Sequence, residues 1–331
     1  MENIDIQYRN LVKDIIENGN LKKNRTGMKS LSVFGRTVRL NLREGFPILT
    51  LKETSFKNIL SELLWFLRGE TNIKFLLDLG CNIWVGDAFK RYSSSEGDNK
   101  LTRSEFIKKI KEDRNFMEKW GEMGPIYGKQ WRRWDGYVSY GNINQYGSVW
   151  HDQLAVAAFQ LITNPDSRRI MVNSWNVDDI DKMILPPCHY SFQFYTREMS
   201  NEEKKSSNGA TRAISLIWNQ RSVDVPLGLP YNISSYATLL TIIGKYCNMV
   251  PEEIIGNLGD CHIYLNQIEG IKKIFERDSF PLPELEIKNS GKMKENMEFL
   301  RFDDFIEGLN HKNVILKNYR SNPKITIPLS N

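Results

Sequence analysis

The period of the apolar positions changes along this chain, and each change marks a predicted helix or strand. Helices are predicted where apolar residues recur every three or four positions. These segments are residues 2–18, 55–68, 152–163 and 233–247, with a last helix near 263–277. Strands are predicted where polar and apolar residues alternate. These segments are residues 30–42, interpreted as paired strands turning at Gly35-Arg36, and residues 169–176, 189–198 and 213–220.

The order of these elements predicts the fold class. Helices and strands are interspersed without a regular strand–helix–strand alternation, which favours a single α+β domain over residues 1–331, with a mixed β-sheet packed against helices. The polar residues of 199–211 predict a solvated hairpin loop. The Lys- and Glu-rich segment at about 86–122, with a helical patch near 103–120, is interpreted as an inserted surface segment and not as a domain boundary.

Size, charge and cysteine content narrow the classes of protein. A chain of 331 residues with 40% hydrophobic content is large enough for an ordinary core. The net charge of +5 is too diffuse to indicate nucleic-acid binding. No run of 18 apolar residues predicts a membrane span, and the first residues lack a signal-peptide pattern. The cysteines, at 81, 188, 247 and 261, have no metal-binding spacing, so we expect a cytoplasmic protein without a metal.

The segment from Leu185 to Tyr195 carries the strongest chemical signal. Cys188 follows two prolines and precedes His189 at the start of a predicted strand. Because each proline fixes one backbone angle, the thiol is presented from a stiff turn, which suits a nucleophile that must be oriented before reaction. The thiolate is the reactive form, so positive charge or hydrogen-bond donors are expected nearby. The alternative is that Cys188 is a small buried hydrophobic residue.

Glu62 is the second candidate. It shares one face of the helix predicted over 55–68 with Ile59, Leu63 and Phe66. A carboxylate on an apolar face costs free energy unless it is paired or functional, and burial raises its pKa. Glu62 is therefore a candidate general acid or base. The alternative is a core carboxylate bonded to a backbone N–H.

Arginines occur in two short motifs beside predicted strands. The sequence PDSRR at 165–169 precedes a strand, and QRSVD at 220–224 ends one. Guanidinium forks and a serine hydroxyl together suit a phosphate group. Surface arginines in salt bridges are the alternative.

Two further motifs offer polar groups for a nucleoside. The sequence LGLPYN at 227–232 is interpreted as a rigid turn that delivers Asn232, whose amide matches the edge of a uracil-like ring. The alternative is a cap for the following helix. In GDCHIY at 259–264, His262 and Tyr264 lie two positions apart and share one side if the chain is extended. They suit ribose hydroxyls, or they are polar core residues.

Together these motifs resemble the family of folate-dependent thymidylate synthases over nearly the whole chain. The resemblance also includes NRTG at 24–27, EGFP at 44–47, ELLWFLRG at 62–69, GPIYGKQW at 124–131 and LPPCH at 185–189. It implies a sheet-mediated homodimer. It also implies the conversion of dUMP and 5,10-methylenetetrahydrofolate to dTMP and dihydrofolate.

The resemblance assigns roles to individual residues. Cys188 would attack C6 of dUMP, and Arg221 would lower the pKa of the thiol. Glu62 would organise proton transfer together with Tyr127 and His189. The implied dUMP-binding residues are Arg25, Gln220, Arg221, Ser222, Asn232, His262 and Tyr264, with Arg168 and Arg169 reaching in from the neighbouring subunit. The implied folate-binding residues are Lys52, Ile83, Trp84, Leu185, Asp224, Gly228 and Tyr231, of which Asp224 would bind the pterin and take part in catalysis.

Three departures from the family pattern lie on the folate side. Val85 follows Trp84 where the family usually has Asp, Asp87 lies in the unusual insertion where bacterial members often have a second Trp, and the chain ends in the polar Asn331. If these changes admit water, water instead of hydride would quench the C5 methylene, so a dUMP 5-hydroxymethylase is the alternative function.

Two other functions are argued against by residues that are present. Asn232 argues against a cytosine substrate, because cytosine-directed relatives tend to carry Asp there. A non-catalytic RNA-binding protein is a hypothesis from a different class, and the retained Cys188, Glu62 and arginine pairs argue against it.

Overall fold

The structure is a computed structural model that describes most of the chain. The described residues are 2–23, 27–95, 100–139, 146–207, 209–288 and 301–329. The helices in them are α1 Ile4–Asn18, α2 Phe56–Leu67, α3 Lys74–Asp78, α4 Val85–Ser95, α5 Arg103–Glu112, α6 Arg114–Trp120, α7 Tyr127–Arg132, α8 Gln153–Thr163, α9 Asn201–Lys205, α10 Gly228–Tyr246, α11 Ile268–Ile271 and α12 Phe302–Gly308. The strands are β1 Asn20–Lys22, β2 Ser30–Asn41, β3 Trp134–Ser139, β4 Tyr146–His151, β5 Met171–Asn173, β6 His189–Glu198, β7 Arg212–Asp224, β8 Val250–Tyr264, β9 Glu284–Ile287 and β10 Val314–Lys317.

A six-stranded sheet forms the centre of the molecule. Its strand order is β1-β2-β8-β7-β6-β5, and neighbouring strands are antiparallel except β7 and β8, which run parallel. Helix α10 connects β7 to β8 and packs against both, and α1 packs beside it on β2 and β8. This mixed sheet packed against helices confirms the α+β prediction.

The opposite face of the sheet is partly uncovered. Met171 on β5 pairs with Gln193 on β6, which pairs with Ile217 on β7. Tyr195 lies two residues beyond Gln193 and therefore on the same face. Because Met171 is 51% exposed and Tyr195 is 65% exposed, this face presents apolar side chains that the single chain does not cover.

Capping explains where two predicted helices begin. The Ser55 side chain accepts the N–H of Asn58 at the start of α2, and the Asp152 side chain accepts the N–H of Ala155 at the start of α8. Both helices match their predicted ranges to within one residue, so these predictions are confirmed.

The predicted hairpin at Gly35-Arg36 is wrong. Strand β2 runs through this position without turning back, and both of its halves pair with β8. Gly35 has φ +74° and interrupts the alternation of buried residues, which explains why the sequence resembles a turn. Glycine reaches this conformation without steric cost, so the ladder kinks locally and its register is kept.

Two predictions near the carboxyl half also need correction. The predicted turn at 227–232 is the beginning of α10, which starts five residues earlier than expected. Pro230 is compatible with the first helical turn because the N–H groups there have no partner within the helix. The helix predicted near 263–277 is replaced by the end of β8 followed by short helical turns from Leu265 to Glu276.

The segment interpreted as a polar insertion has an apolar centre of its own. Helices α5 and α6 meet at Asp113, so the helical patch predicted near 103–120 is two helices. The buried ring of Tyr92 packs against the rings of Phe106, Phe116 and Trp120 at centroid distances of 5.2 to 5.6 Å. The exposed positions account for the charge-rich sequence. The loop predicted over 199–211 likewise contains α9, which begins with a capping box.

Candidate active site

A cavity of about 620 Å³ is lined by residues from three of the predicted motifs, LPPCH, QRSVD and GDCHIY. Its walls come from the turn before β6, the ends of β7 and β8, and the chain at β1. Predicted residues in its lining are Leu185, Cys188, Arg221, Ser222, His262 and Tyr264. The sequence motifs that contain them are up to 79 residues apart, so the sheet topology is what brings them together.

Cys188 lies immediately before β6, and two hydrogen bonds to its backbone hold it there. Its N–H donates to the hydroxyl of Tyr127 over 2.8 Å, and its carbonyl accepts the backbone N–H of Arg221 over 2.8 Å. The thiol is partly buried and lines the cavity. A thiol on a stiff Pro-Pro turn with both backbone groups bonded is oriented before any ligand binds.

The guanidinium of Arg221 fixes the same turn. Its Nε donates to the carbonyl of Pro187 and its Nη2 to the carbonyl of Pro186, each over 2.9 Å. The guanidinium also lies over the Trp175 ring, 5.4 Å from the ring centroid. The permanently charged guanidinium is therefore bonded to the two residues that precede Cys188. The sequence predicted positive charge near this thiol.

Glu62 on α2 and Trp84, just before α4, form a hydrogen-bonded pair. The indole Nε1–H of Trp84 donates to Glu62 Oε1 over 2.6 Å. Burial raises the pKa of Glu62 from 4.5 to about 7, while the Trp84 hydrogen bond acts in the opposite direction. The raised pKa expected from an acid on an apolar helix face is confirmed, with desolvation as its cause.

Tyr127 and His189 stack on each other. Their rings lie 4.4 Å apart at an interplanar angle of 24°, and His189 Nδ1 is 2.9 Å from the hydroxyl of Tyr236. Burial lowers the pKa of His189 to about 3 and raises the pKa of Tyr127 well above its ordinary value. Both side chains are therefore neutral near pH 7, so His189 can position groups but holds no positive charge there.

Gln220 and Asn232 are linked through their side-chain amides. Gln220 Nε2 donates to Asn232 Oδ1 over 3.0 Å and to the Ser222 carbonyl over 3.0 Å, while its Oε1 accepts the indole N–H of Trp218. These partners fix which way each amide points. Asn232 is thereby presented with its amide NH₂ turned away from Gln220, although it comes from a helix and not from the predicted turn.

Asp224 ends β7 close to the first turn of α10. Its Oδ1 accepts the N–H of Leu227 over 3.0 Å, and burial raises its pKa. Lys52 is 6% exposed and donates to the Pro226 carbonyl over 2.8 Å, and burial lowers its pKa to about 8. The Lys52 ammonium is thus bonded inside the protein. Its contact with a folate tail stays a prediction.

The other predicted folate-binding residues lie just before α4 and at the start of α10. Trp84 is buried against Trp65 and Tyr127, and its neighbour Ile83 is partly buried. Tyr231 and Gly228 lie in the first two turns of α10.

One charged cluster in the cavity lining was not predicted from the sequence. Asp260 bonds the Lys22 ammonium over 2.5 Å and the Ser32 hydroxyl over 2.6 Å, and one of its oxygens is 3.4 Å from His262 Nδ1. Lys23 also lines the cavity. The available signal was the position of Lys22-Lys23 immediately before the NRTG motif.

Several predicted residues are not brought to this cavity by the described chain. Arg168 and Arg169 are exposed in the connection between α8 and β5 and are absent from its lining. Arg25 and Asn331 lie outside the described residues. Val85 is buried at the start of α4 and Asp87 lies in its first turn, which places both departures near Trp84.

The described ranges contain neither a metal-binding cluster nor a membrane-spanning helix. No group of three or more His, Cys, Asp or Glu side chains there is arranged to hold a metal ion. No helix there has both the length and the apolar character needed to cross a membrane.

Comparison with known proteins gives consistent results over nearly the full length. The family model described as thymidylate synthase matches residues 6–331. The chain is 39% identical to a thymidylate synthase of Mycoplasma mobile over 319 residues, which covers 96% of this chain and 97% of the relative. It is 38% identical to a thymidylate synthase of Mesoplasma florum, covering 97% and 98%. A thymidylate synthase of Mycoplasma genitalium is 40% identical over 86% of this chain and 89% of its own.

Proposed function

The chain belongs to the thymidylate synthase family, and on that premise we propose that it methylates dUMP at C5 to give dTMP, with 5,10-methylenetetrahydrofolate as co-substrate and dihydrofolate as second product. The observation that carries the proposal is the position of Cys188. Its thiol lines a cavity with Ser222, His262 and Tyr264, while its backbone is fixed by Tyr127 and Arg221.

The nucleophilic step follows from this geometry. The Cys188 sulfur forms a bond to C6 of dUMP, and the electron pair of the C5–C6 double bond moves toward O4, which makes C5 nucleophilic. The Arg221 guanidinium supports the thiolate form through its charge beside the turn. When dTMP is complete, the sulfur–C6 bond breaks and the thiolate is restored.

The base, sugar and phosphate are assigned to different residues in and beside the cavity. Asn232, oriented by Gln220, would hydrogen-bond the uracil edge, and His262 and Tyr264 would hold the deoxyribose. Arg221 and Ser222 would bind the phosphate together with Arg25. The Lys22–Asp260 ion pair lines the same cavity and would add a cation near the phosphate.

Glu62 is the group assigned to proton transfer. Its pKa of about 7 lets it exchange a proton near neutral pH, and it is bonded to Trp84 at the wall of the folate slot. It would receive, through water, the proton that leaves C5. Tyr127 and His189 remain neutral and position that water and Cys188.

The folate site fits the residues present. The bound co-substrate supplies the one-carbon unit and the hydride that completes the methyl group. Asp224 offers a partly buried carboxylate that can accept adjacent N–H donors of a pterin ring. Trp84, Ile83, Leu185 and Tyr231 are buried or partly buried apolar side chains of the kind that contacts fused rings. Lys52 would turn outward to meet the glutamate tail.

The hydroxymethylase alternative is not favoured. The named relatives, which cover nearly the whole chain, are thymidylate synthases. Trp84, predicted to line the folate site, is also present, buried and bonded to Glu62. The departures at Val85 and Asp87 leave that indole in place.

Product analysis tests the proposal. Purified protein is incubated with dUMP and 5,10-methylenetetrahydrofolate, and the nucleotide is weighed by mass spectrometry while dihydrofolate absorbance is followed. We expect a methylated nucleotide and one dihydrofolate per product. A hydroxymethylated nucleotide with tetrahydrofolate would replace this function by the alternative, and no product from the folded wild-type protein would refute both. Cys188→Ala is the control for background turnover.

A homodimer through the open sheet face completes the proposal. The exposed Met171 and Tyr195 support burial against a second copy, and the exposed Arg168 and Arg169 are available to reach a neighbouring site. The four cysteines, all thiols, are compatible with a reducing cytoplasm, where we place the reaction.

Mixing two inactive variants tests the shared site. Cys188→Ala and the double variant Arg168→Ala/Arg169→Ala are refolded separately and together, and dTMP formation is measured. In a mixed dimer, one site has an intact thiol and receives both arginines from its neighbour, so activity should return. Absence of recovery, with mixed dimers confirmed by native mass spectrometry, would contradict arginine sharing.

A further inference from the structure

Trp84 is attached directly to the first helix of the segment that the sequence indicates as an insertion. Helix α4 begins at Val85, and the carbonyl of Trp84 accepts the N–H of Ala88 in its first turn over 3.3 Å. The position of the Trp84 backbone therefore depends on where α4 lies. The Trp84 indole donates to Glu62 over 2.6 Å, so this hydrogen bond depends on the same helix.

An aromatic cluster holds the other end of α4. It consists of Phe89, Tyr92, Phe106, Phe116 and Trp120, which come from α4, α5 and α6. The ring of Phe106 is fully buried, and its centroid lies 5.3 Å from that of Tyr92 and 5.4 Å from that of Phe89. Closely packed rings prefer particular separations and angles. The aromatic cluster therefore fixes α4 against α5 and α6.

Polar contacts of α4 act in the same direction. Arg91 Nη2 donates to the Lys119 carbonyl of α6 over 3.0 Å, and the guanidinium lies over the Trp120 ring, 5.7 Å from its centroid. The Tyr92 hydroxyl accepts the N–H of Leu101 over 3.3 Å. Two successive residues of α4 are thus bonded to the chain that follows it, in addition to the ring contacts.

A second connection from α6 reaches Trp84 through Asn72. Asn72 Nδ2 donates to the Met117 carbonyl of α6 over 3.0 Å, and the Asn72 carbonyl accepts the indole N–H of Trp65 over 3.0 Å. The Trp65 ring packs edge-to-face on the Trp84 ring, with 5.5 Å between their centroids. Gly121 directly follows α6, and a Cβ there would lie 2.4 Å from Asn72 Oδ1. The contact between α6 and Asn72 is therefore close.

We propose that α4, α5 and α6 together brace Trp84, with Phe106 and Arg91 as positioning residues that keep the indole N–H on the Glu62 carboxyl group. The inference rests on the proposed function, in which Glu62 receives the proton from C5. The lining of the cavity around Cys188 includes no described residue of these three helices. They therefore act on the reaction through Trp84 and not by contact with dUMP.

Other titratable groups near Glu62 set the background for a test. They are Tyr127 on α7, Tyr231 on α10 and Cys81. Burial is the main cause that raises the pKa of each, and the Glu62 charge adds to the rise, so all three are neutral near pH 7. The pKa of Glu62 itself is raised by burial and lowered by the Trp84 hydrogen bond. A weaker bond from Trp84 should therefore raise the pKa of Glu62.

Two substitutions loosen the brace without changing Glu62 or Trp84. Phe106→Leu removes one ring from the aromatic cluster and keeps a buried apolar side chain. Arg91→Met removes the hydrogen bond to the Lys119 carbonyl and the charge over the indole ring, and it keeps most of the length of the side chain.

Each substitution has a matched control elsewhere in the fold. Phe305→Leu matches the first, because Phe305 is also fully buried and packs on an aromatic ring, that of Tyr246, with 5.1 Å between centroids. Arg9→Met matches the second, because Arg9 Nη2 also donates to a backbone carbonyl, that of Arg277, over 2.6 Å. Both controls should lower the melting temperature without changing the pKa of Glu62.

Infrared difference spectroscopy measures the pKa of Glu62 without substrate or turnover. The band of the protonated carboxyl group is identified by its absence in Glu62→Gln and is followed between about pH 5 and 9. We expect the pKa to rise by about 0.5 unit in Phe106→Leu and by about 0.3 unit in Arg91→Met, as part of the effect of losing the donor completely. The apparent pKa in the pH profile of kcat/KM should rise by the same amount.

A Trp84→Phe background separates positioning from a general loss of packing. The indole donor is absent there, so adding Phe106→Leu should change the pKa of Glu62 by less than about 0.1 unit. Equal shifts in both backgrounds would overturn the proposal, because the Phe106 ring would then act on Glu62 by another route. An unchanged pKa with Trp84 present, or an equal shift in Phe305→Leu, would also overturn it. If Phe106→Leu does not fold, Arg91→Met is compared with Arg9→Met by the same criteria.

Failure of the proposed function gives a different pattern of results. A folded wild-type protein that forms no dTMP refutes the proposed function, whereas the infrared titration still measures whether the brace controls the pKa of Glu62. An active wild-type protein in which neither Phe106→Leu nor Arg91→Met moves that pKa refutes the brace alone.

Discussion

Replacing Glu62 with glutamine is expected to stabilise the protein at alkaline pH while abolishing its activity. Burial raises the pKa of Glu62 from 4.5 to about 7, and a group of this kind in the unfolded chain titrates near 4.5. The folded protein therefore binds the proton more tightly than the unfolded chain. The stabilising effect of the protonated carboxyl group is fully present below pH 4.5 and is lost as the pH rises through about 7.

The magnitude follows from the two pKa values. A difference of about 2.5 pKa units corresponds to about 3 kcal/mol, at about 1.4 kcal/mol for each unit. Glutamine carries no charge, has nearly the same shape, and its carbonyl can still accept the Trp84 indole N–H. Glu62→Gln should therefore raise the free energy of unfolding by about 3 kcal/mol at pH 8 and by less than about 1 kcal/mol at pH 5.

Urea unfolding followed by tryptophan fluorescence, at equal protein concentration and at pH 5 and pH 8, measures this difference. Glu112→Gln is the control because Glu112 is exposed at the end of α5, where the substitution should change stability by less than about 0.5 kcal/mol at either pH. An equal gain at both pH values, or a loss of stability at pH 8, would refute the desolvation argument. If the same variant also loses dTMP formation, the Glu62 carboxyl group both lowers the stability of the folded protein and is needed for proton transfer.

Three other predictions test single contacts of the site. Cys188→Ala should abolish dTMP formation while the dissociation constant for dUMP, measured by calorimetry, changes by less than about fivefold, because the ligand contacts remain. Asn232→Asp should shift the ratio of kcat/KM toward dCMP, since a protonated carboxyl group donates where the amide accepted; unchanged selectivity would remove Asn232 from base recognition. Trp84→Phe removes the hydrogen-bond donor to Glu62, so the apparent pKa of Glu62 in the pH profile of kcat/KM should rise by about one unit. Trp131→Phe, which loses an indole hydrogen bond to the neutral Ser174 hydroxyl, should leave that apparent pKa unchanged.

The sequence predicted the chemistry of the site better than its supporting topology. Cys188 and Glu62 were identified from local rules, a proline-fixed turn and an acid on an apolar helix face. Both rules concern groups within one element, which a spacing pattern can reveal. The α+β class followed in the same way from the order of the elements.

Strand β8 was missed because its pattern is unclear from the sequence alone. It lies between β2 and β7, yet it carries Glu252, Glu253 and Asp260, which bond partners on neighbouring elements. Such partners satisfy polar side chains in a central strand, and they come from distant parts of the chain. Lys22 and Asp260, 238 residues apart, were missed for the same reason.

The pKa values of the titratable side chains near Cys188 favour Glu62 as the site of proton exchange. The pKa of His189 is lowered to about 3, and burial raises those of Tyr127 and Tyr236 above their ordinary values, so these three stay neutral between about pH 5 and 9. Of these four side chains, only Glu62 has a pKa near neutrality, about 7. Release of tritium from C5 of labelled dUMP should therefore be lost in Glu62→Gln. A His189→Gln variant, which replaces one neutral group by another, should retain it, and the opposite pattern would move the proton-transfer role to the imidazole.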